Sequence, residues 1–299
     1  MYGFTSLLIQ INMNKRFLDA VHQGDNHWWH YCLAVFLIVY YWVNISGYIV
    51  LICQSLLSLI ISSDSIVFFI STSTAFIALL LILIFIVQRL HRRSFYSLIS
   101  TDASIDKKRL LLGFGVWLIQ LFIFTFSDIS IHPQDYLYKF DPQQWFLLLP
   151  FALILTPIQT SAEEFLFRGY LMQGLSLITK HRLLLILITS FLFTIPHLGN
   201  PEMQRGFILG AMSYFVWGIF LAAITLKDNG LELALGVHAA NNLFSFLIMR
   251  AQDSVIPNPT IFVFARAINA QEGLISLLIN AGIFYAVFFG GIARKPKSN

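Results

Sequence analysis

Apolar residues run through this chain in eight blocks, and short polar segments between them hold most of the charge. The blocks cover residues 29–57, 66–87, 110–126, 145–178, 183–196, 207–226, 231–249 and 274–292. A helix needs about 20 apolar residues to cross the hydrocarbon of a bilayer. Apolar blocks of this length, without strict alternation, read as membrane helices rather than strands. The pattern therefore predicts an all-α, polytopic membrane protein with about eight transmembrane helices. The block 145–178 is too long for one simple crossing, and Pro157 inside it predicts a kink. The block 183–196 is short for a crossing.

Positive charge supports the count and sets an orientation. Lys and Arg concentrate on the cytoplasmic side of membrane proteins. With eight crossings and a cytoplasmic N-terminus, fourteen of the nineteen Lys and Arg fall inside. Adding or dropping one crossing destroys that asymmetry, so both termini are expected in the cytoplasm. The chain divides into an N-terminal interfacial segment (1–28), a three-helix scaffold with an external loop (29–144), a core (145–249), and a last stretch (250–299). That last stretch holds an external loop, one span and a basic tail. Leu7, Leu8, Ile9 and Ile11 are expected to lie on the membrane surface, and no cleavable signal pattern follows them.

Composition closes off other classes. Only 11% of the residues are charged and 57% are hydrophobic, whereas a soluble domain carries roughly 25% charge. The net charge is +4, and no basic block has the aromatic interleaving of a nucleic-acid surface. No nucleic-acid partner is expected. Cys32 and Cys53 fall in apolar stretches and form neither a disulfide framework nor a metal-binding pair.

An ionisable group inside a bilayer costs several kcal/mol, so it marks function or pairing. Glu163, Glu164, Arg168 and His238 fall within the predicted spans and His197 at the end of the fifth, all in the second half of the chain. Glu164 and Arg168 are four apart and share a helix face. Glu163 is rotated about 100° away and faces something else. Phe193 and His197 are one turn apart, so the ring can buttress the imidazole. His238 and Asn242 are also one turn apart, with Asn241 between them. A carboxylate, one His, and a second His with an Asn suffice for amide hydrolysis: a base for water, a group to hold it, and donors for an oxyanion. Read singly, each pair also suits a structural role, as an ion-pair network or as polar contacts between helices. No Gly-x-Ser-x-Gly is present, which argues against a serine nucleophile.

At these residues the chain resembles the membrane-embedded CAAX-processing and bacteriocin-processing protease family, CPBP or Abi, which includes the Rce1-type prenyl-protein endopeptidases. Glu163, Glu164 and Arg168 match its Glu-Glu-x-x-x-Arg motif. Phe193 and His197 match Phe-x-x-x-His, and His238 and Asn242 match His-x-x-x-Asn. The resemblance covers roughly residues 145–248, and His-Leu-Gly-Asn-Pro at 197–201 looks like the prokaryotic branch. It implies a glutamate-type intramembrane endopeptidase in a prokaryotic plasma membrane. Glu163 and His197 would activate water, His238 and Asn242 would form the oxyanion hole, and Glu164, Arg168 and Phe193 would support the site. The implied partners are membrane lipids and a peptide or lipidated-protein substrate, with prenylated or leader peptides as candidates. No cofactor is implied. No pattern assigns an oligomeric state.

Two alternatives stay open at this point. Glu163, His197 and His238 offer donors that zinc accepts, which would make a membrane metallopeptidase. A non-catalytic scaffold or bacteriocin self-immunity protein would keep the same fold. A transporter is disfavoured because the polar residues cluster and the first three spans are bare. One expectation concerns depth. Glu163 lies about 25 Å of helix from Lys180, but His238 lies only about 12 Å from its inner boundary. The stretch 163–180 is therefore expected to protrude on the inner side.

Overall fold

A computed structural model of the chain describes residues 16–102, 104–266 and 269–290. Helices dominate. In chain order they are α1 (Trp28–Leu57), α2 (Asp64–Leu90), α3 (Lys107–Ile131), α4 (Pro142–Leu175), α5 (Arg182–His197), α6 (Phe207–Asp228), α7 (Glu232–Leu247) and α8 (Ala270–Phe289). Among the described residues, α1, α2, α3, α4, α6 and α8 are long and apolar enough to cross a membrane. The shorter helices, α5 and α7, coincide with the fifth and seventh apolar blocks. The surface-active residues expected before position 16, and the basic tail beyond position 290, lie outside the described residues.

Helix ends follow local chemistry. The Asp106 carboxylate caps α3 by accepting from the backbone N–H groups of Lys108 and Arg109. Asp141 caps α4 by accepting from the Gln144 N–H, with Pro142 in the first turn. Helix α6 ends where Asn229 turns left-handed, at φ 61°. The Asn229 side chain then accepts from the Phe17 N–H at 2.7 Å, tying the N-terminal segment to the α6–α7 turn.

A change of helical register in α4 lies beyond Pro157. The α-helical pattern continues through Pro150 and Pro157 to Glu164, and a π-helical segment, Phe165–Leu171, follows directly. Prolines are tolerated in membrane helices because neighbours re-satisfy the freed carbonyls. The register change sits beside the acidic pair, as π segments often do at functional sites.

The structure also adds a small sheet to the mostly helical fold. A small three-stranded sheet lies at the end of the bundle where α4 starts and α7 stops. It comprises β1 (Tyr136–Tyr138), β2 (Met249–Arg250) and β3 (Phe262–Phe264), in the order β1-β3-β2. β1 pairs antiparallel with β3 (Tyr136 opposite Phe264), and β2 pairs parallel with it. Runs of two or three residues are too short for a period-2 pattern to register.

Packing sets the site's walls. Helices α3 and α7 approach at Gly113 and Gly236. A Cβ on Gly113 would sit 2.6 Å from the Leu233 carbonyl, and one on Gly236 would clash with backbone at Leu110 and Phe114. Helices α5 and α6 meet at Gly218, where a Cβ would lie 2.8 Å from that of Ser190. Such small-residue contacts are how membrane helices approach closely. Trp117, Phe193, Tyr170 and Phe284 are among the largest fully buried side chains.

The stretch after Glu163 is enclosed by protein. Residues 165–170 are buried, as are Met172 and Gln173. A cap encloses them, made of the 3-10 segment Phe17–Gln23, the turn at His91–Arg93, and Phe95–Leu98. Gln173 donates to the Ser97 carbonyl at 2.9 Å and accepts from Arg93 Nη1 at 2.8 Å. The end of α4 is thus wrapped by a polar cap.

Candidate active site

Helix α4 carries both carboxylates. Glu163 is 7% exposed and Glu164 is fully buried. Arg168, in the π segment, is also fully buried. Its Nη1 donates to Glu164 Oε1 at 2.8 Å and its Nη2 to the Gly218 carbonyl at 3.4 Å. The guanidinium lies over the Phe193 ring, 4.4 Å from its centre. The ion pair anticipated from four-residue spacing is thus present, and two further helices hold it.

Helix α7 brings His238 onto the same carboxylate. His238 Nδ1–H donates to Glu164 Oε1 at 2.7 Å, so this oxygen takes two charge-assisted bonds. The other ring nitrogen, Nε2, stands 3.9 Å from Glu163 Oε2. His238 therefore sits between the two carboxylates. Trp217 and Phe193 contact its ring edge to face, with centroids 5.7 Å and 6.3 Å away. Glu163 also interacts with Gln159, one turn earlier on α4.

His197 reaches the site from the end of α5. Pro196 lacks an N–H, and the helix passes into a 3-10 turn at Ile195–His197. The imidazole compensates locally, with Nδ1–H donating to the Phe193 carbonyl at 2.7 Å. That bond leaves Nε2 as the lone-pair nitrogen of the neutral ring. The ring lies between two aromatic neighbours, Phe193 at 4.6 Å and Tyr214 at 4.3 Å between centroids. The Tyr214 hydroxyl accepts from Asn200 Nδ2 at 2.9 Å. Among the described residues no hydrogen bond or ion pair links His197 directly to Glu163; the Phe193 ring packs against both His197 and His238.

Asn242 follows His238 by one turn of α7. Its Oδ1 accepts from Asn241 Nδ2 at 3.3 Å, and Asn241 Oδ1 accepts from Trp117 Nε1 at 3.3 Å. This relay occupies the carbonyl of Asn242 and leaves its NH2 as the donor.

The alternative zinc set is not assembled. Among the described residues no three His, Cys, Asp or Glu side chains gather as a metal-ligand group, so Glu163, His197 and His238 do not form one.

Sequence reasoning missed Tyr214, Trp217 and the Gly218 carbonyl, all on α6. A Tyr and a Trp three residues apart in an otherwise apolar helix were a readable signal, since both carry a polar atom.

With this geometry in view, similarity to known proteins decides the family. The uncharacterized protein YyaK of Bacillus subtilis (strain 168) is 34% identical over 213 residues, which is 69% of this chain and 69% of that protein. Residues 142–244 match the family described as type II CAAX prenyl endopeptidase Rce1-like. The chain belongs to the Rce1-like family. The matched stretch runs from the first turn of α4 into the last turns of α7, and so includes Glu163, Glu164, Arg168, Phe193, His197, His238 and Asn242. Membership in the Rce1-like family, with six long apolar helices among the described residues, makes the chain an integral membrane protein of a CAAX-type membrane peptidase family. No solved structure matches it.

Proposed function

We propose that this Rce1-like protein is a glutamate-type intramembrane endopeptidase that hydrolyses peptide bonds of membrane-associated substrates without a covalent intermediate. The observation that carries the reading is the placement of His238. Its Nδ1 is held on Glu164 at 2.7 Å, and its Nε2 faces the second carboxylate, Glu163, at 3.9 Å. One carboxylate is committed to Arg168 and the imidazole, and the other remains for chemistry.

Glu163 takes the proton of the attacking water, with the His197 Nε2 lone pair as second acceptor. His238 and Asn242 supply the donors for the developing oxyanion. A neutral His238 whose proton is on Nδ1 has no N–H at Nε2. The form that donates to the oxyanion is therefore the imidazolium, and with it the charges of Glu163, Glu164, Arg168 and His238 cancel.

The eight helices are taken as eight crossings with both termini cytoplasmic, in a prokaryotic plasma membrane. The Lys and Arg asymmetry supports this orientation. Substrates are membrane-anchored chains such as leader peptides or prenylated proteins.

The test compares peptides released from membranes by wild type and by Glu163→Gln, read by mass spectrometry. Loss of release in the variant is expected, while unchanged release would sink the catalytic role. Release by wild type should persist after exhaustive chelation, since no three-ligand set gathers among the described residues. A loss that added zinc restores would instead favour a metallopeptidase.

A further inference from the structure

A polar cavity lies far from the acidic pair. It occupies about 640 Å³ where α2 and α4 begin and the small sheet closes the bundle, and its lining includes Ser63, Lys139, Asp141, Gln144, Arg250 and Asn258. Glu163 is 21 residues along α4 from Pro142, roughly 30 Å of helix, so the cavity is separate from the candidate active site.

Its chemistry is two-sided. Asn258 is 1% exposed. Its Nδ2 donates to the Phe246 carbonyl, and its Oδ1 is left without a partner. Gln144 Oε1 is likewise buried and unpartnered. Buried acceptors without donors are uncommon and costly, and here the two residues that carry them both line one cavity beside Asp141. They call for a ligand rich in N–H donors.

The same cavity carries two cations, Lys139 and Arg250. Arg250 donates from Nε and Nη1 to the carbonyls of Asn258 and Ala251. Neither cation pairs with a carboxylate among the described residues. They call for an anion within reach of the donor group.

The surroundings fix where such a ligand comes from. Tyr138, Phe140 and Trp145 form a run of aromatic contacts beside the cavity, with centroids 6.3 Å and 5.8 Å apart along it. Trp145 donates its Nε1–H to the Leu247 carbonyl at the end of α7. Aromatic residues clustered at the ends of apolar helices mark the level of lipid head groups.

We infer that this cavity is a binding site for an ammonium–phosphate zwitterion, the head group of an aminophospholipid. The ammonium donates to Gln144, Asn258 and Asp141, and the phosphate lies against Lys139 and Arg250.

The test uses the delipidated full-length protein in detergent, titrated with phosphatidylethanolamine, phosphatidylcholine or phosphatidylglycerol. Bound lipid is counted by native mass spectrometry. Phosphatidylethanolamine is expected to bind roughly tenfold more tightly than the other two. Methylation removes the N–H donors in one competitor, and the ammonium is absent from the other. Lys139→Gln changes an exposed side chain and should lower phosphatidylethanolamine affinity roughly tenfold. Arg250→Gln should act in the same direction. Free phosphoethanolamine displacing the lipid at similar concentration would keep the ligand chemistry and assign the source to a soluble zwitterion. Equal binding of the three lipids, or undiminished phosphatidylethanolamine affinity in Lys139→Gln, would overturn the assignment.

Discussion

Glu163 and Glu164 are adjacent in sequence and opposite in what their loss should do. Glu164 is fully buried and shares one oxygen between Arg168 and His238. Replacing it with Gln leaves the buried guanidinium without a counter-charge. Removing one partner of a buried pair costs about 3–5 kcal/mol. Glu163 makes no hydrogen bond to a charged group, and its nearest cationic partner is His238 at 3.9 Å. Glu163→Gln should therefore abolish peptide release and leave thermal unfolding in detergent within a few degrees of wild type, whereas Glu164→Gln should lose both. Equal stability of the two variants would contradict this division of labour. The spacing in sequence already separates the roles, since residues four apart share a helix face and neighbours do not. It does not say that His238, 74 positions away, docks on Glu164, because tertiary contact leaves no local pattern. Nor does it single out Tyr214, whose ring stacks on His197 through the packing of α5 against α6.

At the scale of elements, the apolar blocks were legible because the bilayer imposes a length, and all eight correspond to helices. Their ends were less so. The π segment Phe165–Leu171 has no composition signal as plain as Pro157, yet the register changes there. The distances between helices are set by glycines. Gly236 sits two residues before His238 and faces the backbone of α3 at Leu110 and Phe114. A methyl group has no room there, so Gly236→Ala must push α7 outward and carry His238 with it. Overpacking of this kind costs about 1–3 kcal/mol. A displacement of about 1 Å at a catalytic group can cost 100-fold in rate. Gly236→Ala should lower release by at least that order while the protein still folds. Gly115→Ala, on the same helix α3 but with nothing within 4 Å of its Cβ, should be silent in both assays.

The whole molecule joins two polar ends through an apolar middle, and the cap over α4 was the part least readable from sequence. It links residues 17–30, 91–99 and 170–173 by hydrogen bonds between positions up to 156 apart. Its centre is His91, fully buried just beyond the end of α2. His91 Nδ1–H donates to the Asp25 carbonyl, and Nε2 accepts from the Tyr170 hydroxyl, both at 2.8 Å. Arg93, His30 and Asp25 are the charged or titratable groups that act on it, and Tyr31 packs against its ring. Burial is the largest influence. With Arg93 and His30 it outweighs the opposing Asp25 contributions and pushes the imidazole down from 6.5 to about 4. The folded protein then binds fewer protons than the unfolded chain between those two values. Stability contributed by the neutral ring is fully present above pH 6.5 and is lost as pH falls through the window to 4. A depression of this size corresponds to on the order of 3 kcal/mol. Thermal unfolding in detergent should fall across pH 6.5 to 4 in wild type and fall less in His91→Gln. Arg93 keeps its contacts to Ala20 and Gln173 in that variant, so the cap itself should survive. An identical slope in both proteins would show that His91 does not couple the cap to pH.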